Sequence, residues 1–176
     1  IGITTVELLP AYEFDEVYTT KDSMYSNRFK DDTTNNISNY WGYMNAHYMM
    51  PKYAYASDNN PQEEFSFLVK TLHDNNMELI MQLYFPESID DAYILDVLRF
   101  WVSKYHVDGF HLKGNELPAT SLAADCYLYN AKIWYGEFHA EKLDVISKNR
   151  KQNMAEYNDQ YMYSLRSFLK SDWKNQ

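Results

Sequence analysis

Near-continuous apolar runs alternate along this chain with segments whose apolar residues fall at helical spacing. Residues 3–9 (ITTVELL) form a β-branched and aliphatic run stopped by Pro10, which predicts a strand. A long polar stretch from about 13 to 39, rich in Asp, Thr, Asn and Ser, reads as a surface loop insertion. Asn60-Pro61-Gln62-Glu63 then carries the marks of a helix start: an Asn cap, a proline at the first position and acids in the first turn. Phe65, Leu68, Val69 and Leu72 give that helix one buried stripe, and Asn75 and Asn76 close it.

Residues 77–85 (MELIMQLYF) predict a mostly apolar strand, and Asp90-Asp91 caps a second helix. Ile94, Val97, Leu98, Trp101, Val102 and Tyr105 keep its period for three turns. Residues 107–112 read as a strand, 117–129 as a helix, 132–138 as a strand and 141–148 as a short helix. A last helix is expected over 156–172, with Tyr157, Tyr161, Leu165, Phe168 and Leu169 on one side. The alternation argues for an α/β fold, a parallel sheet covered by helices, in a single domain over 1–176 without repeat or linker. Periodicity alone does not choose between an open doubly wound sheet and a barrel.

Charge narrows the partners. A formal net charge of −9 repels polyanions, so neither nucleic acid nor an anionic membrane is expected. No apolar run approaches the length of a membrane span. The single cysteine, Cys126, excludes an internal disulfide framework and reads as a small core residue inside an apolar helix. The five histidines lack metal-ligand spacing, and neither a phosphate-binding glycine loop nor a G-x-S-x-G elbow occurs, so no metal or cofactor is expected. Aromatic residues make up 17% of the chain, which suits stacking on the C–H faces of sugars and equally suits packing by half-buried tyrosines.

Wording along the chain goes further than periodicity. Gly2-Ile3-Thr4-Thr5-Val6-Glu7-Leu8-Leu9-Pro10 resembles the second barrel strand of the α-amylase superfamily, glycoside hydrolase family 13, in its pullulanase, isoamylase and glycogen-debranching branch. Asn39-Tyr40-Trp41-Gly42-Tyr43 is similar to that branch's N-W-G-Y segment, and residues 65–81 to the helix and strand that follow it. Tyr105-His106-Val107-Asp108-Gly109-Phe110 resembles the start of the fourth strand. Ala155-Glu156-Tyr157-Asn158-Asp159-Gln160-Tyr161 resembles the A-E-W-N-D-x-Y opening of a later helix. Five fragments in the right order imply a partial TIM (β/α) barrel, running roughly from strand 2 to helix 6 of eight, with its site at the C-terminal ends of the strands. Ile1 falls inside a predicted strand without a starting methionine, which suggests a chain cut out of something longer.

The same resemblance locates altered chemistry. Retaining glycosidases use two carboxyl groups about 5–5.5 Å apart, one nucleophile and one acid. Aligning the family's G-F-R-x-D with Gly109-Phe110-His111-Leu112-Lys113 puts His111 at the arginine and Lys113 at the nucleophile. An ammonium forms no glycosyl ester and opposes the positive charge that develops at the anomeric carbon. On the third strand Gln82, Pro86 and Glu87 replace the family's Asp, Asn and His. The step from Phe85 to Asp90 is short where active relatives insert a long excursion. Glu137, after Lys132-Ile133-Trp134-Tyr135-Gly136, is the candidate general acid, or else an exposed loop carboxylate. Tyr43 matches a tyrosine that stacks on a sugar ring, or packs over the barrel rim; with Gln82 and His111 it forms the expected substrate-binding set.

Three functions remain open: a catalytically inactive debranching-type barrel that acts on or binds α-glucan, a fragment of an active α-glucan hydrolase, and a noncatalytic scaffold or assembly module. Expected partners are starch, glycogen or maltooligosaccharide, together with the remainder of the barrel or an oligomeric partner covering the sheet edges. A soluble, cytoplasmic protein leads among the locations, with any export signal upstream of Ile1.

Overall fold

Five parallel strands, placed side by side in the order in which they occur along the chain, carry the architecture. The computed structural model describes residues 2–19, 36–44, 46–87, 89–114, 117–136 and 153–170. The first half comprises β1 (Thr5–Leu8), β2 (Tyr12–Glu13), β3 (Val17–Thr19), β4 (Asn36–Ser38), β5 (His47–Pro51) and α1 (Pro61–Asp74). The second comprises β6 (Glu78–Phe85), α2 (Asp91–Tyr105), β7 (Gly109–Gly114), α3 (Ala119–Ala124), β8 (Lys132–Tyr135), β9 (Met154–Glu156) and α4 (Asp159–Lys170). The sheet runs β1-β6-β7-β8-β9, while β2 with β5 and β3 with β4 form small antiparallel pairs beside it.

Sequential parallel order is informative. Crossovers between parallel strands are right-handed, so strands that never reverse their order put the connecting helices on one face. A doubly wound sheet reverses at a switch point. This sheet does not, and so has the winding of a (β/α)-barrel segment.

The two faces of β6 show the division. Leu79, Met81, Leu83 and Phe85 are fully buried in one cluster with Val69 and Leu72 of α1 and Ile94, Val97, Leu98 and Trp101 of α2. Each such side chain contributes about 1.5–3 kcal/mol by leaving water. Ile80, Gln82 and Tyr84 alternate onto the opposite face, the inner face of a barrel.

Helix ends follow their local chemistry. The Asn60 side chain accepts from the Glu63 N–H at 3.3 Å, and Asp90 accepts from the Ala92 N–H at 2.9 Å. Asn76 and His106, at φ 55° and 58°, turn the chain out of α1 and α2. Leu68, expected in the buried stripe of α1, is exposed.

Four expectations need correction. The helix over 117–129 shortens to α3, because Asp125 Oδ1 accepts from the Tyr127 and Leu128 N–H groups and turns the chain. Asp125 is held in turn by Arg99, at 2.6 Å from Nη2 and 2.8 Å from Nε. Cys126 therefore sits in a bend, exposed, rather than in a helical core. The strand over 132–138 ends at Tyr135, with Gly136 in a bend. The last helix begins at Asp159 rather than 156, since Glu156 belongs to β9, a strand the periodicity missed.

The apolar side of α4 (Tyr161, Leu165, Phe168 and Leu169) is exposed. Within the polar stretch 13–39, the described ends form β3 and β4; residues 20–35 lie outside the described residues, as do 137–152 with the expected helix over 141–148. No helix among the described residues is long and apolar enough to cross a membrane.

Candidate functional site

Register decides which side chains meet. Gln82 pairs with His111 and His111 with Trp134, so three neighbouring strands aim one residue each at the inner face on one level. Tyr84 pairs with Lys113 one step nearer the strand exits. From β1, Glu7 reaches the same cluster.

A continuous polar chain results. Glu7 Oε1 lies 2.6 Å from His111 Nδ1, an ion pair whenever that ring is protonated, and accepts from Gln82 Nε2 at 3.4 Å. Tyr43 O–H donates to Gln82 Oε1, and Tyr157 O–H meets His111 Nε2. Gln82 and His111 are buried, at 4% and 8% exposure, so each needs such partners. Burial first, then the negative charge of Glu7, pushes the Tyr43 and Tyr157 hydroxyls above the usual phenol range, which keeps both protonated.

Aromatic planes line the same mouth. Tyr43 stacks on Tyr84 at 5.3 Å between ring centroids, and Trp41 lies nearly parallel to Tyr43 at 6.5 Å. The His111 ring packs on Trp134 at 5.3 Å. Lys113 Nζ stands 5.8 Å from the centroid of Tyr43.

The local fold explains how Tyr43 gets there. Gly42 turns the chain at φ +70°, where an added Cβ would lie 2.7 Å from the Phe14 ring. The Gly42 carbonyl accepts from the buried Tyr12 hydroxyl at 3.0 Å, and Asn39 ties the turn to Asp15 and Glu16 through their carbonyls. Behind this turn, Lys52 is buried against the Glu13 carboxylate (2.8 Å), the Phe14 carbonyl and the Phe14 ring. The N-W-G-Y segment is thus a built presentation of one tyrosine.

Sequence reasoning placed Tyr43, Gln82, His111 and Lys113 together, and the structure gathers all four at one mouth. Pro86 and Glu87 follow directly on β6 at that end. Glu137 lies outside the described residues. Glu7, Tyr84, Trp134 and Tyr157 were missed as site residues. Alternation along β1 and β6 puts Glu7 and Tyr84 on the inner face, a usable signal; nothing local signals Tyr157, which arrives from beyond β9. A cavity of about 550 Å³ opens on the flank between β1 and α1, lined by Leu9, Pro51, Phe65 and Leu68 among others. Glu7 borders it, whereas Gln82, His111 and Lys113 do not. No group of three or more His, Cys, Asp or Glu among the described residues could hold a metal ion.

A singly wound parallel sheet with its polar side chains gathered where the strands end makes an α/β domain with a mouth at the C-terminal ends of its strands. The chain is 25% identical over 238 residues to isoamylase 3, chloroplastic, from Oryza sativa subsp. japonica, covering 98% of this chain and 29% of that protein. It is 27% identical over 228 residues to a glycogen debranching enzyme of Yersinia enterocolitica, covering 96% and 32%. No protein-family model matches. A crystal structure of a mutant pullulanase from Paenibacillus barengoltzii, complexed with maltotetraose, superposes with a TM-score of 0.44 at 21% identity, over 63% of this chain and 22% of that one. The chain resembles the debranching branch of the α-amylase superfamily, glycoside hydrolase family 13, at 25–27% identity to these two relatives. It spans about a third of the length of these two curated relatives.

Proposed function

We propose that this single barrel-type domain binds α-glucan at its mouth without cleaving it. Supporting this reading above all is Lys113, which presents an ammonium at the exit of β7, beside Tyr43 and next to the buried Gln82–His111 pair. A retaining cleavage needs a carboxylate nucleophile about 5–5.5 Å from an acid. Of the carboxylates among the described residues at this end, Glu7, which reaches the Gln82–His111 pair, is engaged by both. Glu137 is the candidate acid by the resemblance of the fifth strand, or else an exposed loop carboxylate, and an acid without a nucleophile does not complete the retaining cleavage.

The polar chain from Tyr43 to Tyr157 offers hydroxyl, amide and carboxylate groups to sugar hydroxyls, and the half-exposed Trp41 offers a stacking face. In this reading the outer edges of β1 and β9 and the exposed apolar side of α4 are covered by the rest of a barrel or by an oligomeric partner.

Titrating the protein with maltotetraose while following tryptophan and tyrosine fluorescence tests the binding claim. Saturable quenching that weakens on Tyr43→Ala is expected; an unchanged spectrum would favour the scaffold reading instead. Lys113→Asp alone is expected to restore no hydrolysis, because Gln82, His111, Pro86 and Glu87 are changed as well.

One observation favours a second reading, an active hydrolase: Glu7 places a carboxylate in the mouth that could stand in as nucleophile. Turnover by the unaltered protein that disappears in Glu7→Gln would establish it.

A further inference from the structure

We infer that the mouth selects glucan carrying a phosphate ester, with Lys113 as the group that reads the phosphate. The inference rests on the glucan-binding reading and names the ligand class of the same site. Its basis is the charge arrangement across the inner face of the sheet.

The charged groups at this end, among the described residues, separate into matched and unmatched. Glu7 lies 2.6 Å from His111 Nδ1, a charge match whenever that ring is protonated. Lower on the same face, Glu78 is matched by Lys132. Lys113 has no carboxylate within ion-pair distance among the described residues; its ammonium faces the Tyr43 ring instead. An ammonium–ring contact at a half-exposed position is a weak attraction. That is enough to fix where the lysine points and too little to neutralise it.

The chain as a whole carries a formal charge of −9, so this cation stands out against an acidic protein. A neutral glucan can accept hydrogen bonds from it but leaves its charge unmatched. A phosphate monoester carries about −1.5 to −2 charges near neutral pH and accepts strong hydrogen bonds from an ammonium. Its sugar ring would then lie by Tyr43, the ring the lysine faces, and by Trp41, which is nearly parallel to Tyr43. Lysine binds phosphate as a point charge, without the planar fork that arginine needs, which suits one residue at the edge of an aromatic wall.

Isothermal titration with three probes tests the inference: a phosphorylated maltodextrin, the same dextrin after phosphatase treatment, and inorganic phosphate. The phosphorylated dextrin is expected to bind about tenfold more tightly than its dephosphorylated form. That ratio should fall close to one in Lys113→Gln, persist in Lys113→Arg, and shrink as salt is raised. Unfolding curves of both variants confirm that the fold is kept. Equal affinity for the two dextrins, or an undiminished ratio in Lys113→Gln, overturns the inference while the glucan-binding reading stands. Inorganic phosphate binding as tightly as the phosphorylated dextrin also overturns it, since the site would then read phosphate without sugar. Should neither dextrin bind, the glucan-binding reading fails and the inference fails with it.

Discussion

The two ends of the same strands have been treated differently in this protein. At the starting ends of β6, β7 and β8, the residues behind the family resemblance are all present and all have structural tasks. Asp108 accepts from the Leu79 N–H at 2.7 Å and faces His73 Nε2 at 2.8 Å, while its own backbone links β6 to β8. His106 takes the left-handed turn out of α2, Tyr105, Val107 and Phe110 are buried, and Gly109 admits the neighbouring strand. At the exits, Gln82, Pro86, Glu87, His111 and Lys113 all differ from the residues the family pattern implies. A barrel keeps its stability at one end of its strands and its chemistry at the other. One end can therefore be altered wholesale while the other still specifies the fold.

That contrast can be broken most forcefully at Gly109. A Cβ there would lie 2.3 Å from the Lys132 carbonyl oxygen and 2.7 Å from Ile80 Cδ1. Gly109→Ala is expected to cost about 3 kcal/mol or more, seen as loss of the cooperative unfolding transition or a large drop in its midpoint. Asp108→Ala comes next. It strips a partner from the part-buried Leu79 N–H, and chemical denaturation should show a loss of about 1–3 kcal/mol.

Substitution at the exit should be far milder. Lys113→Gln is expected to change unfolding free energy by no more than about 0.5 kcal/mol, because the ammonium gives up one ring contact and no ion pair among the described residues. A loss as large as that of Asp108→Ala would mean that the exit also carries the fold.

The smallest effect concerns pH at the strand starts. The Lys132 ammonium beside Glu78, opposed by partial burial and helped by Thr5, holds that carboxyl below the usual glutamate value. A carboxyl with a lowered folded-state pKa contributes stability above its ordinary pKa, and that contribution is lost as pH falls through the lowered value. Unfolding midpoints should therefore decline through the acid range below about pH 4.5. Glu78→Gln should flatten the decline slightly, since the pair is partly exposed.

How much could be read from the sequence follows the same division. Local signals sufficed wherever structure is local: Asn60-Pro61 and Asp90 cap their helices, and 77–85 reads directly as β6. Alternation plus the motif at 105–110 was enough to bring Gln82, His111 and Lys113 to one mouth. Reading failed where a side chain overrode propensity, as at Asp125, which cuts α3 short and exposes Cys126. It failed again at β9, whose three residues are too few to show a period. The contacts of His111 were illegible for another reason. They join residues 104 and 46 positions apart in sequence, and only the order of strands in the sheet brings them together.

The claim that matters most is that a cation at residue 113 leaves this barrel unable to cut glucan. Release of reducing ends from pullulan, glycogen and amylopectin by the unaltered protein tests it directly. No release above that of heat-inactivated protein is predicted, under conditions where maltotetraose binding is saturated. Sustained release that vanishes in Glu7→Gln or Glu137→Gln would contradict it.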